Sequence, residues 1–421
     1  MTLFKWAKVR LGDRCSKIGS GSTPRGGEQV YQSEGTAFIR SQNVYNGRFT
    51  TSGLAFLGDD EAQRLSGVTV QSGDILLNIT GDSVARCCQV PETVLPARVS
   101  QHVSIIRPDP SEFDPTFLAY FFISPWMQST MLSLAGSGGT RKALTKEMIE
   151  GFDVPKPELR IQKRIGEFLA VYDGLIENNR RRIALLAESA RLLYREWLVF
   201  LRFPGHEHTR IVNGLPEGWA RITVGDYIER GHVHLQTGPF GTQLRASDYV
   251  ESGTPVINVR NIGYGDLRPD KLEFVPEEVV DRLQVHVLQI GDIVFGRKGA
   301  VDRHLLIGSE QSGWMQGSDC IRLRTLSDSV CSLFLSFTFR EEGHRQWMLN
   351  QCGNKATMAS LNQDVIARIP VLEPSPGLLR EYREFANSIL AQIELLQRQA
   401  DLAVRARDLL LPSLMSGEIP V

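Results

Sequence analysis

Hydrophobic positions along this chain change period, and the change occurs twice in the same order. The stretches TAFIRSQNV (36–44), GDILLNIT (73–80) and HVSIIRP (102–108) are short, apolar-rich and bounded by Gly, Asn and Asp, as are TPVINVRNI (254–262), GDIVFGRKG (291–299) and DCIRLRT (319–325). That texture predicts strands and tight turns. A helix-like apolar stretch follows at 117–134 and again at 332–349, then a Gly-containing loop (GSGGT at 136–140, QCGN at 351–354) and a Pro-punctuated stop, VPKPE or VLEPSP. Beyond each stop the period becomes helical. Ile165, Leu169, Tyr172, Ile176, Asn179, Ile183, Leu186, Ala190, Leu193 and Trp197 recur at alternating spacings of four and three. The second copy offers Phe385, Ile389, Gln392, Leu396, Gln399, Ala403, Ala406 and Leu410. Each set predicts a heptad seam on a helix about 50 Å long. Asn179, Gln392 and Gln399 are polar seam positions of the kind that fix register between paired helices. The two helices are therefore expected to pair with each other, antiparallel, rather than each packing only on its own domain. Such a pair places the two β-rich domains at opposite ends, about a pseudo-two-fold axis.

Whole phrases echo as well. EGTAFIRSQNV (34–44) is answered by SGTPVINVRNI (252–262), WAKVRLGD (6–13) by WARITVGD (219–226), VQSGDILLN (70–78) by LQIGDIVFG (288–296), and TRKALTKEMIEGFDVPKP (140–157) by TMASLNQDVIARIPVLEP (357–374). Preserved order at a nearly constant offset marks a duplicated domain; two copies are too few for a solenoid. The expected fold is α+β: a first domain over 1–155, a long helix over 156–201, a linker over 202–218 rich in Gly and Pro, a second domain over 219–373, and a second long helix with a tail over 374–421.

Composition narrows the setting. With 42% apolar and 23% charged residues the chain reads as ordinary globular protein. The opening MTLFKWAKVRLGD lacks the apolar run of a secretory signal, and no apolar stretch is long enough to span a membrane. Six cysteines show no CxxC spacing and do not match between copies, which favours a reduced, cytoplasmic location. The net charge of −1 requires that any nucleic-acid site concentrate its cations on one face.

Catalytic patterns are sparse. There is no GxxxxGK[ST] loop, no strand–turn–helix GxGxxG with a following acid, and no Asn/Asp-Pro-Pro-aromatic pocket for a flipped base. The pairs His206/His208 and His232/His234 lack further ligands for a metal, and Cys87-Cys88 has no assignable His partner, so no metal site and no catalytic residue is expected. The loops carry a different set: Arg25, Arg40, Gln42, Asn43, Arg48, Arg141 and Lys142 in the first copy, and Arg260, Asn261, Tyr264, Arg297, Lys298, Arg303, Asn354 and Lys355 in the second. Arg, Asn and Gln make bidentate contacts with base edges, and Lys and Arg neutralise phosphates. Surface loops of any protein hold such residues. Their matched placement in the two copies, beside Gly-rich loops, is what points to double-stranded DNA.

The W-x-x-x-x-L/V-G-D openings, the G-D-I strands, the G-T-x-x-I/V phrase ahead of Arg and Asn, the L-P-E-G-W bridge and the ending RDLLLPSLMSGEI together resemble the DNA-specificity subunits of type I restriction–modification systems, over essentially the whole chain. The resemblance implies two target-recognition domains, each reading one half of a bipartite, asymmetric DNA sequence, with the helices as spacer. It implies a non-catalytic subunit that recruits two modification subunits, which bind S-adenosylmethionine and methylate adenine, and in the full complex two ATP-driven restriction subunits that use Mg. A coiled-coil scaffold that binds only proteins, and a methyltransferase carrying its own recognition domains, are the competing expectations.

Overall fold

The computed structural model describes residues 5–136, 142–352 and 360–421. The chain divides into two compact units, 1–180 with 398–421, and 181–397. The division falls inside both long helices, whereas the sequence places boundaries at helix ends. The physical reason is core sharing. In the first unit Ile165 and Leu169 of one helix, and Leu411, Leu414 and Met415 of the other, are buried in the same cluster as Leu77, Ile106, Phe117 and Phe121. In the second unit Ala190, Tyr194 and Leu198, with Tyr382, Ala386 and Ile389, join Ile293, Phe295, Leu323 and Phe334.

The first unit holds a four-stranded antiparallel sheet ordered 87–89, 75–78, 103–108, 15–20. A five-stranded sheet beside it is ordered 31–32, 55–57, 36–39, 97–99, 69–70, with 97–99 parallel to 36–39. The second unit repeats the plan: 233–237, 320–325, 293–296, 304–306 and 264–265 form one sheet, and 273–275, 254–257 and 315–316 another, the last pair parallel. In each unit two short helices (Pro115–Ile123 and Pro125–Gly136; Ser332–Arg340 and Glu342–Cys352) lie between the sheets and the long helix in sequence.

The echoed phrases hold this fold together. In each G-D-I, the glycine adopts a left-handed turn (Gly73 φ 83°, Gly291 φ 87°) that a Cβ would strain. The buried aspartate then accepts the backbone N–H three residues back, from Gln71 or Gln289 (2.7 and 2.8 Å). It also takes a two-pronged guanidinium from the neighbouring strand: Arg107 on Asp74 (2.7 and 2.8 Å), Arg324 on Asp292 (2.7 and 2.6 Å). At the G-T of EGTAF and SGTPV, a Cβ on Gly35 or Gly253 would run into the carbonyl oxygen of Leu57 or Val275.

The long helices span Leu159–Tyr194, continued by a π-helical turn to Val199, and Pro376–Ser416. Proline at the first position suits the start of the second, since its missing N–H has no partner there anyway. Buried Gln162 ties the first to its unit, donating to Glu112 O and Pro157 O. In the first unit Arg407 meets Asp173 (2.5 Å) and Asn179 Nδ2 donates to Gln399 Oε1 (3.5 Å), so the paired segments run antiparallel. In the second, Tyr194 and Trp197 pack edge-on against Tyr382.

On the first helix Ile165, Leu169, Ile176, Asn179 and Ala190 are buried, and Tyr172, Ile183, Leu186 and Leu193 half-buried. On the second helix the expected seam needs correction. Phe385 and Gln392 are exposed, and Gln399 is exposed apart from its bond to Asn179. The buried line is Tyr382, Ala386, Ile389, Leu396, Ala400 and Ala403, with Ile393 half-buried; Leu410 is half-buried against the first unit's core. The helix carries two apolar heptad stripes adjacent to one another, and periodicity alone does not say which one is covered. Both stripes have the right spacing, so the expected seam draws Ile389, Leu396 and Ala403 from the buried one and Phe385, Gln392 and Gln399 from the exposed one.

Candidate nucleic-acid interface

In each unit, the same strand ends gather the candidate residues. In the first, strand 15–20 runs into the Gly21 loop, strand 75–78 runs into Ile79–Ser83, and strand 103–108 begins just after Gln101-His102. Gly21 N donates to Val103 O, Gly81 N to Lys142 O, and Thr80 Oγ1 lies 2.7 Å from His102 Nδ1. In the second unit Gly238 N donates to Cys320 O, Arg297 N to Asp319 O, Leu361 N to Arg297 O, and Gln363 Nε2 to Thr237 Oγ1. Both platforms are pinned by close backbone approach: a Cβ on Gly21 would collide with Val99 O, and one on Gly238 with Gly317 O.

Some candidates stand on these platforms without being buried in the fold. Arg25 and Lys142 are exposed and form no ion pair among the described residues. Arg297 is half-buried, likewise without an ion pair among the described residues, and Lys298 is exposed beside Asp319 (3.0 Å). Arg141, Asn354 and Lys355 lie outside the described residues.

Others are committed to the fold. Asn43 and Asn261 are corrections. Both are fully buried, and each makes the same three bonds: Oδ1 accepts the N–H three residues back (Arg40, 3.0 Å; Asn258, 3.1 Å), and Nδ2 donates to two carbonyls (Thr50 and Ser52; Arg268 and Asp270). Both donors of each amide are spent, and full burial keeps the remaining lone pair of Oδ1 from a base edge. Arg40 is also occupied, reaching Glu28 (3.2 Å) and Gly53 O (2.8 Å) beneath the Tyr31 ring, and Arg260 meets Glu273 (2.9 Å). Gln42 is exposed and donates to Gly53 O.

Arg48, Tyr264 and Arg303 belong to cation–ring stacks, whose other members the sequence did not flag. Arg48 and Arg86 sit 5.1 and 4.9 Å from the Tyr45 ring. Arg303 and Arg345 sit 5.1 and 4.2 Å from Tyr264, whose hydroxyl donates to Asp302. Arg86 occupies the same place as Arg303 at the repeat offset of 217, which is the signal that could have found it. Each stack sets guanidinium groups over a ring; Arg345 is also tied to Asp302 (3.0 Å) and Glu342 (3.1 Å), whereas Arg48, Arg86 and Arg303 form no ion pair among the described residues and suit phosphate or base contact.

Acid–base or nucleophilic chemistry finds little here. Burial pushes the Cys88 thiol up to about 12, and the Cys320 thiol likewise, the neighbouring Asp319 adding to it, so neither is a thiolate at neutral pH. His304, wholly buried, is pushed down to about 3 by burial and by the Arg340 cation, and its Nε2 lies 2.9 Å from Ser336 Oγ. Among the described residues no group of three or more His, Cys, Asp or Glu is arranged to hold a metal ion. Among them, too, no helix is long and apolar enough to cross a membrane.

Comparison with known proteins gives a consistent picture. Residues 4–188 match the family model for the type I restriction modification DNA specificity domain. The chain is 21% identical over 311 residues to the type I restriction enzyme MjaVIII specificity subunit of Methanocaldococcus jannaschii, covering 72% of this chain and 70% of that one. It is 22% identical over 391 residues to the StySPI specificity subunit of Salmonella potsdam, covering 90% and 80%. The crystal structure of the type I restriction–modification S subunit from M. genitalium superposes with a TM-score of 0.61 at 16% identity, over 98% of this chain and 97% of that one.

Proposed function

We propose that the chain is a DNA-specificity subunit of a type I restriction–modification system, recognising DNA sequence within a complex whose catalysis lies in other subunits, and that its two domains, 1–155 and 219–373, each read one half of a bipartite, asymmetric target. The observation that carries this is the doubled platform. Gly21 and Gly238, Asp74 and Asp292, and Asn43 and Asn261 hold the two copies in one geometry, while the side chains standing on the platforms differ. One scaffold with two sets of contact residues fits two different half-sites in one duplex.

Contacts divide by chemistry. Arg25, Lys142 and Lys298 serve phosphates, fixing register without reading sequence, and Gln42, Arg297 and the stacked Arg48, Arg86 and Arg303 face base edges or the backbone beside them. With a net charge of −1, this function requires a local concentration of cations on the reading face.

The long helices set the distance between half-sites. At 1.5 Å per residue, one heptad adds roughly 10 Å, or about 3 base pairs. Their second stripe remains uncovered: Phe168, Val171, Leu175, Leu402 and Leu409 in the first unit, and Leu185, Leu192, Phe385 and Leu395 in the second, are all exposed. Sustained heptad stripes of exposed apolar residues suit docking by helices of the modification subunits. Two such subunits would bring S-adenosylmethionine and the adenine-methylating site, and two restriction subunits would bring ATP and Mg. The complex would act in the cytoplasm.

The test is to insert seven residues into each helix at matched positions and reconstitute the complex with its modification subunit. The same two half-sites, separated by about 3 more base pairs, are expected. An unchanged gap would remove the spacer role, and no sequence preference in either complex would favour a protein-binding scaffold.

A further inference from the structure

One side chain on the second platform stands mostly outside the core. Phe240 is 64% exposed, the one exposed phenylalanine of the second domain among the described residues, and it stacks on no ring or cation there. A single exposed apolar residue is ordinary on a mobile surface. The backbone under this one is instead closely held. Gly238 and Pro239 before it are buried, and Gly238 N donates to Cys320 O. Gly238 packs so closely on Gly317 that no Cβ fits, and Gly317 packs as closely on Ile257 O and the Asn258 side chain. After it, Gly241 turns left-handed at φ 63° and Gln243 N closes back on Phe240 O (3.3 Å). These features hold the loop 238–243, whose outward product is one bare aromatic ring.

Its surroundings are those of the platform. Strand 233–237, which leads into the loop, pairs Thr237 with Ile321, and the next strand pairs Gly296 with Cys320. Arg297 and Lys298 follow directly on Gly296, and exposed Arg245 lies five residues past the ring in sequence. Gly241 immediately after Phe240 leaves no side-chain bulk there. An apolar ring on a rigid stem, with a glycine beside it and cations on the neighbouring strand end, has the features of a wedge that enters a base step while the cations hold the flanking phosphates. The first copy does not repeat it. Thr23 stands at the matching position after Gly21, and Arg25 follows two residues later.

We propose that Phe240 inserts at a base step of the half-site read by the second domain, so that this half-site is recognised partly through how easily that step unstacks, whereas the first half-site is not. Pyrimidine–purine steps unstack most easily, so the preference should be for TA or CA/TG at that position. The inference rests on the DNA-reading function proposed above and names a contact within it.

The experiment uses the complex with its modification subunit and a duplex carrying the target mapped by methylation, with 2-aminopurine placed at successive positions of both half-sites. Apart from the adenines that the modification subunits flip for methylation, wild-type complex should brighten the probe at one step, and that step should lie in the second half-site. Phe240→Ala should abolish that signal and weaken binding about tenfold or more, with the melting temperature unchanged; Phe240→Leu, still an apolar wedge, should retain much of both. Brightening at that step that persists in Phe240→Ala, or brightening seen only at the methylated adenines, overturns the wedge. So does a loss of binding reproduced by replacing one thymine with deoxyuridine, since that identifies a methyl contact without insertion. If wild-type complex shows no preference for the mapped duplex, the DNA-reading function itself fails, an outcome distinct from all of these.

Discussion

Replacing Asn261 by alanine separates scaffold from reader. The amide is fully buried and makes three hydrogen bonds, accepting from Asn258 N (3.1 Å) and donating to Arg268 O (3.0 Å) and Asp270 O (3.1 Å). At about 1 kcal/mol for each neutral bond, the substitution should cost about 3 kcal/mol, with the stranded carbonyls contributing at the upper end. For a unit of this size that corresponds to a fall of about 6–12 °C in the second unit's melting transition. Circular dichroism melts of the reconstituted complex read the stability, and methylation mapping reads the target. The expected result is a complex that melts early yet methylates the same motif wherever it remains folded. A variant that melts with the wild type and accepts a different base in one half-site would refute the burial argument and return Asn261 to the reading set.

Three further outcomes follow from the same geometry. Asp292→Ala leaves Arg324 without its carboxylate at a site where the aspartate is 1% exposed, and should cost about 3–5 kcal/mol; the double variant Asp292→Ala/Arg324→Met should recover part of that in chemical denaturation, and a larger loss in the double variant would count against the pair. His304 stays neutral in the fold, its side chain held down to about 3 by burial and the Arg340 cation, so below pH 6.5 the unfolded chain takes a proton that the native unit refuses. Stability should therefore be complete above pH 6.5 and fall by about 2 kcal/mol by pH 5, a slope that His304→Leu flattens; an identical slope in that variant would place the titration elsewhere. Leu402→Asp, on the exposed stripe, should leave melting unchanged and reduce co-purification of the modification subunit, and full co-purification would remove that stripe from the docking surface.

Much of the architecture was legible because duplication writes each constraint twice. The G-D-I and G-T phrases recur since each encodes a turn glycine and a buried anchor, and both survive in the two copies as hydrogen bonds or close contacts. The same logic misled the choice of reading residues. Asn43 and Asn261 match because they hold the backbone, so identity between copies marked scaffold; differences at matched positions, such as Thr23 against Phe240, are where two half-sites would be told apart. Pairing was a second blind spot. Arg40 and Arg260 look free in sequence, but Glu28 and Glu273, distant by 12 and 13 residues, reach them across turns. The second helix shows the limit of periodicity, since Phe385 and Tyr382 lie on neighbouring stripes of equal spacing and only the partner decides which is buried.

The central claim is that this chain alone determines a split target. Co-expression with its modification subunit in a host lacking adenine methylation, followed by long-read mapping of methylated adenines, tests it directly. The account predicts one asymmetric motif with two specified segments around an unspecified gap, appearing only when this chain is present. A continuous motif, or no new methylation from a soluble complex, would contradict it.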